Sequence, residues 1–238
     1  MSSGGPGRPG PHAVANVDRV DGVSSQAIEN EKRIAAEAAA ELVIDGSRVG
    51  LGTGSTVGYL LPALARRGLD LTCVATSVAT EIAGRELGLN VVAFDQLDRL
   101  DIAIDGADQI DGAGWVIKGG GGAHTREKIV AAAADRFVVI SSSDKVVDAL
   151  SAPVPLELLT YGLAATLRAL APCELRDVPP SPDAGAIADY HGSVEDPERL
   201  AAWLAGTPGV VDHGLFPPSL ISEVIVARGS DVQRIRGH

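Results

Sequence analysis

The chain of 238 residues is short of aromatic side chains, at 3%, and carries one Met and two Cys. So little aromatic mass argues against a barrel of aromatic ladders and leaves Ala, Val, Leu and Ile to supply the 45% hydrophobic content, which favours helices packed on a sheet. Cys73 and Cys173 stand far apart, with neither C-x-x-C spacing nor a His cluster nearby, so they read as free thiols rather than a zinc site or a disulfide framework. No apolar run approaches the roughly 18 to 20 residues of a membrane span, and no basic-then-apolar leader pattern opens the sequence. A cytoplasmic protein with no membrane partner is expected. Positive charge is scarce as well: 20 Lys and Arg face 31 Asp and Glu, for a net charge of −11. That field repels nucleic acid phosphates and anionic lipid at long range. An anionic small molecule would have to be captured locally, by backbone N–H groups and a few well-placed lysines.

What is present reads as α/β. Met1 to Pro11 is mostly Ser, Gly and Pro, too poor in apolar surface to offset the entropy of ordering, and residues 1–24 are expected to form a disordered tail. From a Ser24 or Ser25 cap, Ile28, Ile34, Ala35, Ala38, Leu42 and Val43 fall near helical spacing until Asp45 and Gly46 break the pattern. Short apolar runs then alternate with helical stretches: Val49 to Leu51, Ser55 to Arg67, Leu71 to Ala75, Val78 to Leu87, Val91 to Phe94, Ile102 to Ile104. This period predicts a doubly wound, mostly parallel sheet with ligand sites at the C-terminal ends of its strands. Trp115 to Ile117 and Phe137 to Ser141 read as further strands flanking a helix from about Thr125 to Ala134. After Pro153 the pattern changes to helices around Tyr161 to Leu170 and Pro197 to Ala205, with strands near Glu174 to Val178, Ala186 to Tyr190 and Val210 to Leu215. The expected division is therefore a main domain of residues 25–152 and 217–238, rejoined through a strand at Ile221 to Ala227, and a small α+β subdomain of residues 153–216.

Three segments and one lysine carry possible chemistry. Gly50 to Thr56 lies where a strand turns into a helix. Its glycines, the first helical N–H groups and the hydroxyls of Ser55 and Thr56 suit a phosphate monoester, although an ordinary capped turn fits equally. A dinucleotide fits poorly. The third glycine falls at Gly58, the next strand ends in Thr76 and Ser77 without an acid, and no Lys follows the glycines as a triphosphate loop requires. In the second segment an apolar strand runs into Asp105, Gly106, Ala107 and Asp108, whose carboxylates could bind or deprotonate sugar hydroxyls or simply cap a turn. The third, Lys118 to Lys128, opens with Lys118 and the glycines Gly119, Gly120, Gly121 and Gly122, an entropic cost that a mere linker does not explain. There Lys118 could steady an oxyanion, Glu127 is a candidate base, and His124 reads as a loop residue. Lys145 would reach the same sheet edge or sit as a solvated surface lysine. No clustered ligands suggest a metal, and no cofactor is expected.

Taken together, Gly52 to Thr56, Asp105 to Asp108, Lys118 to Gly121, Thr125 to Lys128 and Lys145 resemble, in order and spacing, the signature series of A-type ribose-5-phosphate isomerases. The resemblance implies a Rossmann-like domain with a small α+β lid, assembled as a homodimer or homotetramer. It also implies a cofactor-free conversion of ribose 5-phosphate to ribulose 5-phosphate through an enediolate. Thr53, Gly54, Ser55, Thr56, Asp105, Gly106, Ala107, Asp108, Lys118, Gly119, Gly120, Gly121 and Lys145 would contact the sugar phosphate. Glu127 would be the proton acceptor, Asp105 the residue linked to ring opening and Lys118 the one that steadies the enediolate. The chain departs from the usual pattern at Gln109, where Glu is common, and at Ser181 to Gly185 in the lid. A non-catalytic sugar-phosphate sensor and an amino-sugar-phosphate isomerase-deaminase remain as alternatives at this stage.

Overall fold

A computed structural model of the protein describes Met1 and residues 24–236, so the expected N-terminal tail lies, apart from its two ends, outside the described residues. The chain enters with α1 (Ser25–Ala40), whose first turn is capped by the Ser24 hydroxyl accepting from the N–H of Ala27. Six parallel strands follow in the order β3-β2-β1-β4-β7-β13, with ranges Arg48–Leu51 (β1), Thr72–Ala75 (β2), Asn90–Val91 (β3), Ile102–Asp105 (β4), Phe137–Ser142 (β7) and Glu223–Arg228 (β13). An antiparallel edge strand, β14 (Asp231–Arg236), completes the main sheet. The order reverses between β1 and β4, and a crevice opens beyond their carboxyl ends at such a reversal.

The alternation along single strands explains why helices cover both faces. In β7, Val138 and Ile140 join the cluster under α1 and α2 (Ser55–Arg66), with Leu60, Leu64 and Val43. Phe137 and Val139 turn to the opposite cluster, with Leu100, Phe216 and the Val130 of α4 (His124–Ala132). Ala35, Ala36, Ala39 and Ala40 form the fully buried stripe of α1, small enough to let it lie close on the sheet. α3 (Val78–Glu86) connects β2 to β3, capped by the Ser77 hydroxyl.

The remaining strands build two antiparallel sheets. One has the order β11-β8-β10-β9 and comprises Val154–Leu158 (β8), Cys173–Leu175 (β9), Ala186–Tyr190 (β10) and Val210–His213 (β11). The same stretch of chain holds α5 (Leu163–Ala169) and α6 (Pro197–Ala205). The other sheet joins β5 (Gln109–Ile110), β6 (Val116–Ile117) and β12 (Leu215–Phe216) in the order β12-β6-β5.

Several expectations are corrected. The strand at Trp115 to Ile117 shrinks to β6 and pairs antiparallel with β5 and β12 instead of entering the main sheet. Phe94, expected at a strand end, opens a short 3₁₀ turn. β8 and β14 answer to no expected strand, and β8 is fully buried at all five positions between β11 and β10.

Candidate active site

The loop that leaves β1 passes Gly52, Thr53 and Gly54 before α2 begins at Ser55, so the first N–H groups of that helix face the crevice without intrahelical acceptors. Gly52 is obligatory for a steric reason: a Cβ there would lie 1.9 Å from the Asp105 carboxylate. The Asp105 side chain crosses beneath the loop, its Oδ1 accepting from the N–H of Thr53 at 3.0 Å and of Gly106 at 2.7 Å. Thr76 and Thr80 brace the loop from below. The Thr53 and Thr76 hydroxyls are 2.7 Å apart, and Thr80 Oγ1 donates to the Gly52 carbonyl at 2.9 Å.

A small cleft of about 180 Å³ opens above this floor, lined by Thr53 to Thr56, Gly106 to Asp108, Lys118 to Gly121, Glu127, Lys145 and Lys32. Every residue expected to contact substrate lines it except Asp105, which is buried directly behind. Lys145 arrives on a 3₁₀ turn after β7, and Glu31 sets that turn: its carboxylate accepts from the N–H of Ser143 at 2.8 Å and of Gly229 at 2.7 Å. Burial alone would raise the Glu31 pKa, but these two donors outweigh it and hold the carboxyl below its ordinary value. Lys32 was not anticipated at the site. It projects from α1, held by Glu29 at 2.7 Å, which in turn accepts from the Tyr59 hydroxyl at 2.9 Å. The available signal was the Glu29-x-x-Lys32 spacing on the first helix, which reads equally as a surface ion pair.

At the other end of the cleft three charged groups meet away from solvent. Asp105, Lys118 and Glu127 are 3%, 2% and 5% exposed. Lys118 Nζ lies 2.9 Å from Asp105 Oδ2 and 3.2 Å from Glu127 Oε2, and it donates to the Gly106 carbonyl at 2.5 Å. Burial, reinforced by the neighbouring Asp105 charge and only partly offset by Lys118, pushes the Glu127 carboxyl up to about 8. Burial likewise raises Asp105 in spite of Lys118. For Lys118, burial works against the ammonium, but the two carboxylates prevail and its pKa is raised. One cation facing two buried carboxyls cannot offset the burial of both, so both are raised above their ordinary values, which suits a group that must take a proton and give it back.

The helix that carries Glu127 is fixed on both flanks. Arg126 forms a two-point pair with Asp183 at 2.7 and 2.8 Å, so the unusual Ser181 to Gly185 turn docks on α4 rather than on the cleft. Lys128 pairs with Asp212 at 2.6 Å and lies 5.0 Å from the centre of the Phe216 ring. Gln109, the other departure, exchanges amide hydrogen bonds with Ser151 at 2.9 and 2.8 Å and does not line the cleft. His124, expected in a loop, instead opens α4 and is fully buried beneath Gly119. A Cβ at Gly119, which has φ +102°, would lie 2.7 Å from His124 Nδ1. Burial drives the His124 pKa down to about 3, so the ring is neutral and serves as packing. Among the described residues, no cluster of three or more His, Cys, Asp or Glu side chains is placed to hold a metal ion.

Comparison with known proteins places these features in context. Residues 72–231 match the family model of ribose 5-phosphate isomerase A (phosphoriboisomerase A). The ribose-5-phosphate isomerase A of Rhodopseudomonas palustris strain HaA2 is 43% identical over 223 residues, covering 85% of this chain and 95% of that protein. The crystal structure of ribose 5-phosphate isomerase A from Neisseria gonorrhoeae superposes with a TM-score of 0.84 at 32% identity, covering 89% of this chain and 98% of that one. A D-ribose-5-phosphate isomerase solved in complex with phospho-erythronic acid superposes with a TM-score of 0.82 at 32% identity, covering 88% and 99% of the two chains.

Proposed function

The chain belongs to the ribose 5-phosphate isomerase A family, and from that premise we propose how its cleft interconverts D-ribose 5-phosphate and D-ribulose 5-phosphate. The observation that carries the proposal is the buried Lys118 shared between Asp105 and Glu127 at the inner end of a cleft whose outer end offers helix N–H groups, hydroxyls and two lysines. The phosphate sits at the start of α2, with Ser55, Thr56, Lys32 and Lys145, where N–H groups and positive charge favour an anion. The sugar lies along Gly106 to Asp108 and Gly119 to Gly121. Asp105, directly behind the floor on which the sugar lies, exchanges the proton that opens the ring once the sugar is bound.

In the open-chain aldose, Glu127 removes the proton from C2. The electrons of that C–H bond form a C1–C2 double bond and the carbonyl electrons move onto O1, giving an enediolate. Lys118 offsets its charge in a site that excludes water, where a fixed cation stabilises developing charge far more than in bulk solvent. Glu127 then returns the proton to C1 while the proton of the C2 hydroxyl passes to O1, so that the C2 oxygen becomes the carbonyl of the ketose and O1 its hydroxyl. No electrons leave the sugar and no redox partner is required. The sensor and deaminase alternatives are set aside by family membership.

Assembly as a homodimer or homotetramer in the cytoplasm completes the proposal, supported by exposed apolar side chains such as Ile129, Leu159 and Tyr161 and by the lack, among the described residues, of any helix able to cross a membrane. Sedimentation of the purified protein tests the assembly. The activity is tested by following ribulose 5-phosphate formation from ribose 5-phosphate in the presence of a chelator. Full turnover is expected, and no turnover, or turnover restored by one added metal, would overturn the reading.

A further inference from the structure

Glycine loops hold a fixed shape only when something fixes their peptide planes, and the loop Gly119 to Gly121 has an external clamp. Arg176, one residue beyond the end of β9, sends Nη1 to the carbonyls of Gly119 and Gly120, both at 2.9 Å. The rest of its guanidinium is held by Asp189 of β10, through Nε at 2.7 Å and Nη2 at 2.6 Å. Both side chains are largely withdrawn from solvent, so the fork is locked in one orientation. In a trans peptide the N–H points opposite to the C=O. With the Gly119 and Gly120 carbonyls turned to Arg176, the N–H groups of Gly120 and Gly121 are turned the other way. That of Gly120 donates to Asp108 Oδ2 at 2.7 Å, and that of Gly121 has no hydrogen-bond partner among the described residues. Both glycines line the cleft, two and three residues after Lys118.

We infer that Arg176 is a positioning residue for the isomerisation: braced by Asp189, it fixes the Gly119 and Gly120 peptides so that the Gly120 N–H holds Asp108 and the loop presents the Gly121 N–H and Lys118 to the sugar in one arrangement. The inference rests on the reading of the cleft given above. It links strands β9 and β10 to the reacting end of the cleft and leaves the phosphate end to other elements. Without the clamp, the consecutive glycines sample many peptide orientations, and the bound sugar meets Lys118 and Glu127 in a reactive geometry less often.

The test replaces Arg176 by Met, and also makes the double variant Arg176→Met with Asp189→Asn, which removes the carboxylate that the single change would leave buried and unpaired. Both are expected to lower kcat about 10- to 100-fold, with KM and the affinity for inorganic phosphate within about threefold of wild type. The double variant should recover the thermal stability lost in the single one without recovering kcat. Amide hydrogen exchange in the peptide spanning residues 118–123 should quicken in both, whereas Asp183→Asn, which loosens only the Arg126 pair, should leave it unchanged. Wild-type kcat in both Arg176 variants would overturn the inference. So would unchanged exchange of that peptide, or a kcat that returns with stability in the double variant. If the wild type itself fails to isomerise ribose 5-phosphate while still binding phosphate, the functional reading falls rather than the clamp, whose exchange signature is read without turnover.

Discussion

The two ends of the cleft are built on opposite physical terms. At the outer end Gly54 and Ser55 are exposed, Lys145 is about one-third exposed, and the donors are backbone N–H groups, hydroxyls and the two lysines. At the inner end Asp105, Lys118 and Glu127 have almost no exposure and hold one another at 2.9 and 3.2 Å. Solvent-accessible donors can capture an anion without paying a large desolvation cost, but they cannot shift a carboxyl pKa by much. Buried charges cost stability and in return acquire strongly altered proton affinities. The contrast teaches that one cleft separates holding from reacting by burial, and each end should fail in its own way when altered.

The largest effect is expected at the inner end. Glu127→Gln keeps the shape and removes the basic oxygen, and should lower kcat by about 10² to 10⁴ with KM little changed. The wild type should also exchange the transferred hydrogen partly with solvent deuterium, as a carboxylate that holds the proton between two carbons allows. Retention of most of kcat in Glu127→Gln, with its loss in an Asp105 or Asp108 variant, would move the base to the other turn. Next in size is the pH response. With the Glu127 carboxyl raised to about 8 by burial, its basic form is depleted as pH falls, so kcat/KM should drop by roughly tenfold per unit below that value. A profile flat from pH 6 to 9 would contradict the assignment.

Much of this division was legible in the sequence, because chemistry at a strand end demands local signals. Asp105 to Asp108, Lys118 to Gly121 and Glu127 follow short apolar runs and lie within 23 residues of one another, so their meeting needed no long-range knowledge. The six parallel strands were legible for a related reason, since short, largely apolar runs rich in Val, Ile, Leu and Ala between helical stretches mark strands buried on both faces. Lys32 was not, because its place at the cleft depends on how α1 packs across the sheet. β8 was hidden by Pro153 and Pro155 and by the buried Glu157, which break an apolar pattern that only the neighbouring strands β10 and β11 restore. The two-residue strand β5 is too short for any periodicity, so β6, legible as a strand at Trp115 to Ile117, gave no sign of its antiparallel partners β5 and β12. His124 misled because a His beside four glycines looks solvent-facing, whereas the absent Cβ of Gly119 is what makes room for the ring.

Smaller effects are expected at the outer end. Lys145→Ala and Lys32→Met should raise KM by about tenfold or more, as loss of a hydrogen bond to a charged group costs about 1.5 to 3 kcal/mol. Ser55→Ala and Thr56→Ala should raise it by roughly two- to tenfold. In all four kcat should stay within a few-fold of wild type, because the phosphate does not react and its contacts persist from ground state to transition state. Steady-state kinetics decide this. A fall in kcat at constant KM across the set would mean that the outer contacts orient the sugar, and the separation of the two ends would be lost.

The last effect concerns stability rather than turnover, and it sharpens the comparison because it reads the cost of burial without any substrate. Glu127 has an ordinary carboxyl value of 4.5 when unfolded and about 8 when folded, raised chiefly by burial and then by Asp105. Between those values the folded protein holds a proton that the unfolded chain has released. The group's contribution to stability is therefore fully present below about 4.5 and is lost as pH rises through about 8. Glu127→Gln carries no such proton and escapes the loss. Its melting temperature relative to wild type should accordingly rise between pH 6 and pH 9, by roughly 5 to 10 °C, since one retained proton is worth about 1.4 kcal/mol per pH unit below about 8 and about 1 kcal/mol shifts a domain of this size by roughly 2 to 4 °C. Taking the difference between the two proteins at each pH cancels the titration of groups remote from Glu127 and leaves that of Glu127 with its partners Asp105 and Lys118. At the outer end Ser55→Ala removes no titrating group, so its difference from wild type should stay constant over the same range. If the Glu127→Gln difference were also constant, Glu127 would titrate in the folded protein much as it does unfolded, and burial would not be what prepares it to move a proton.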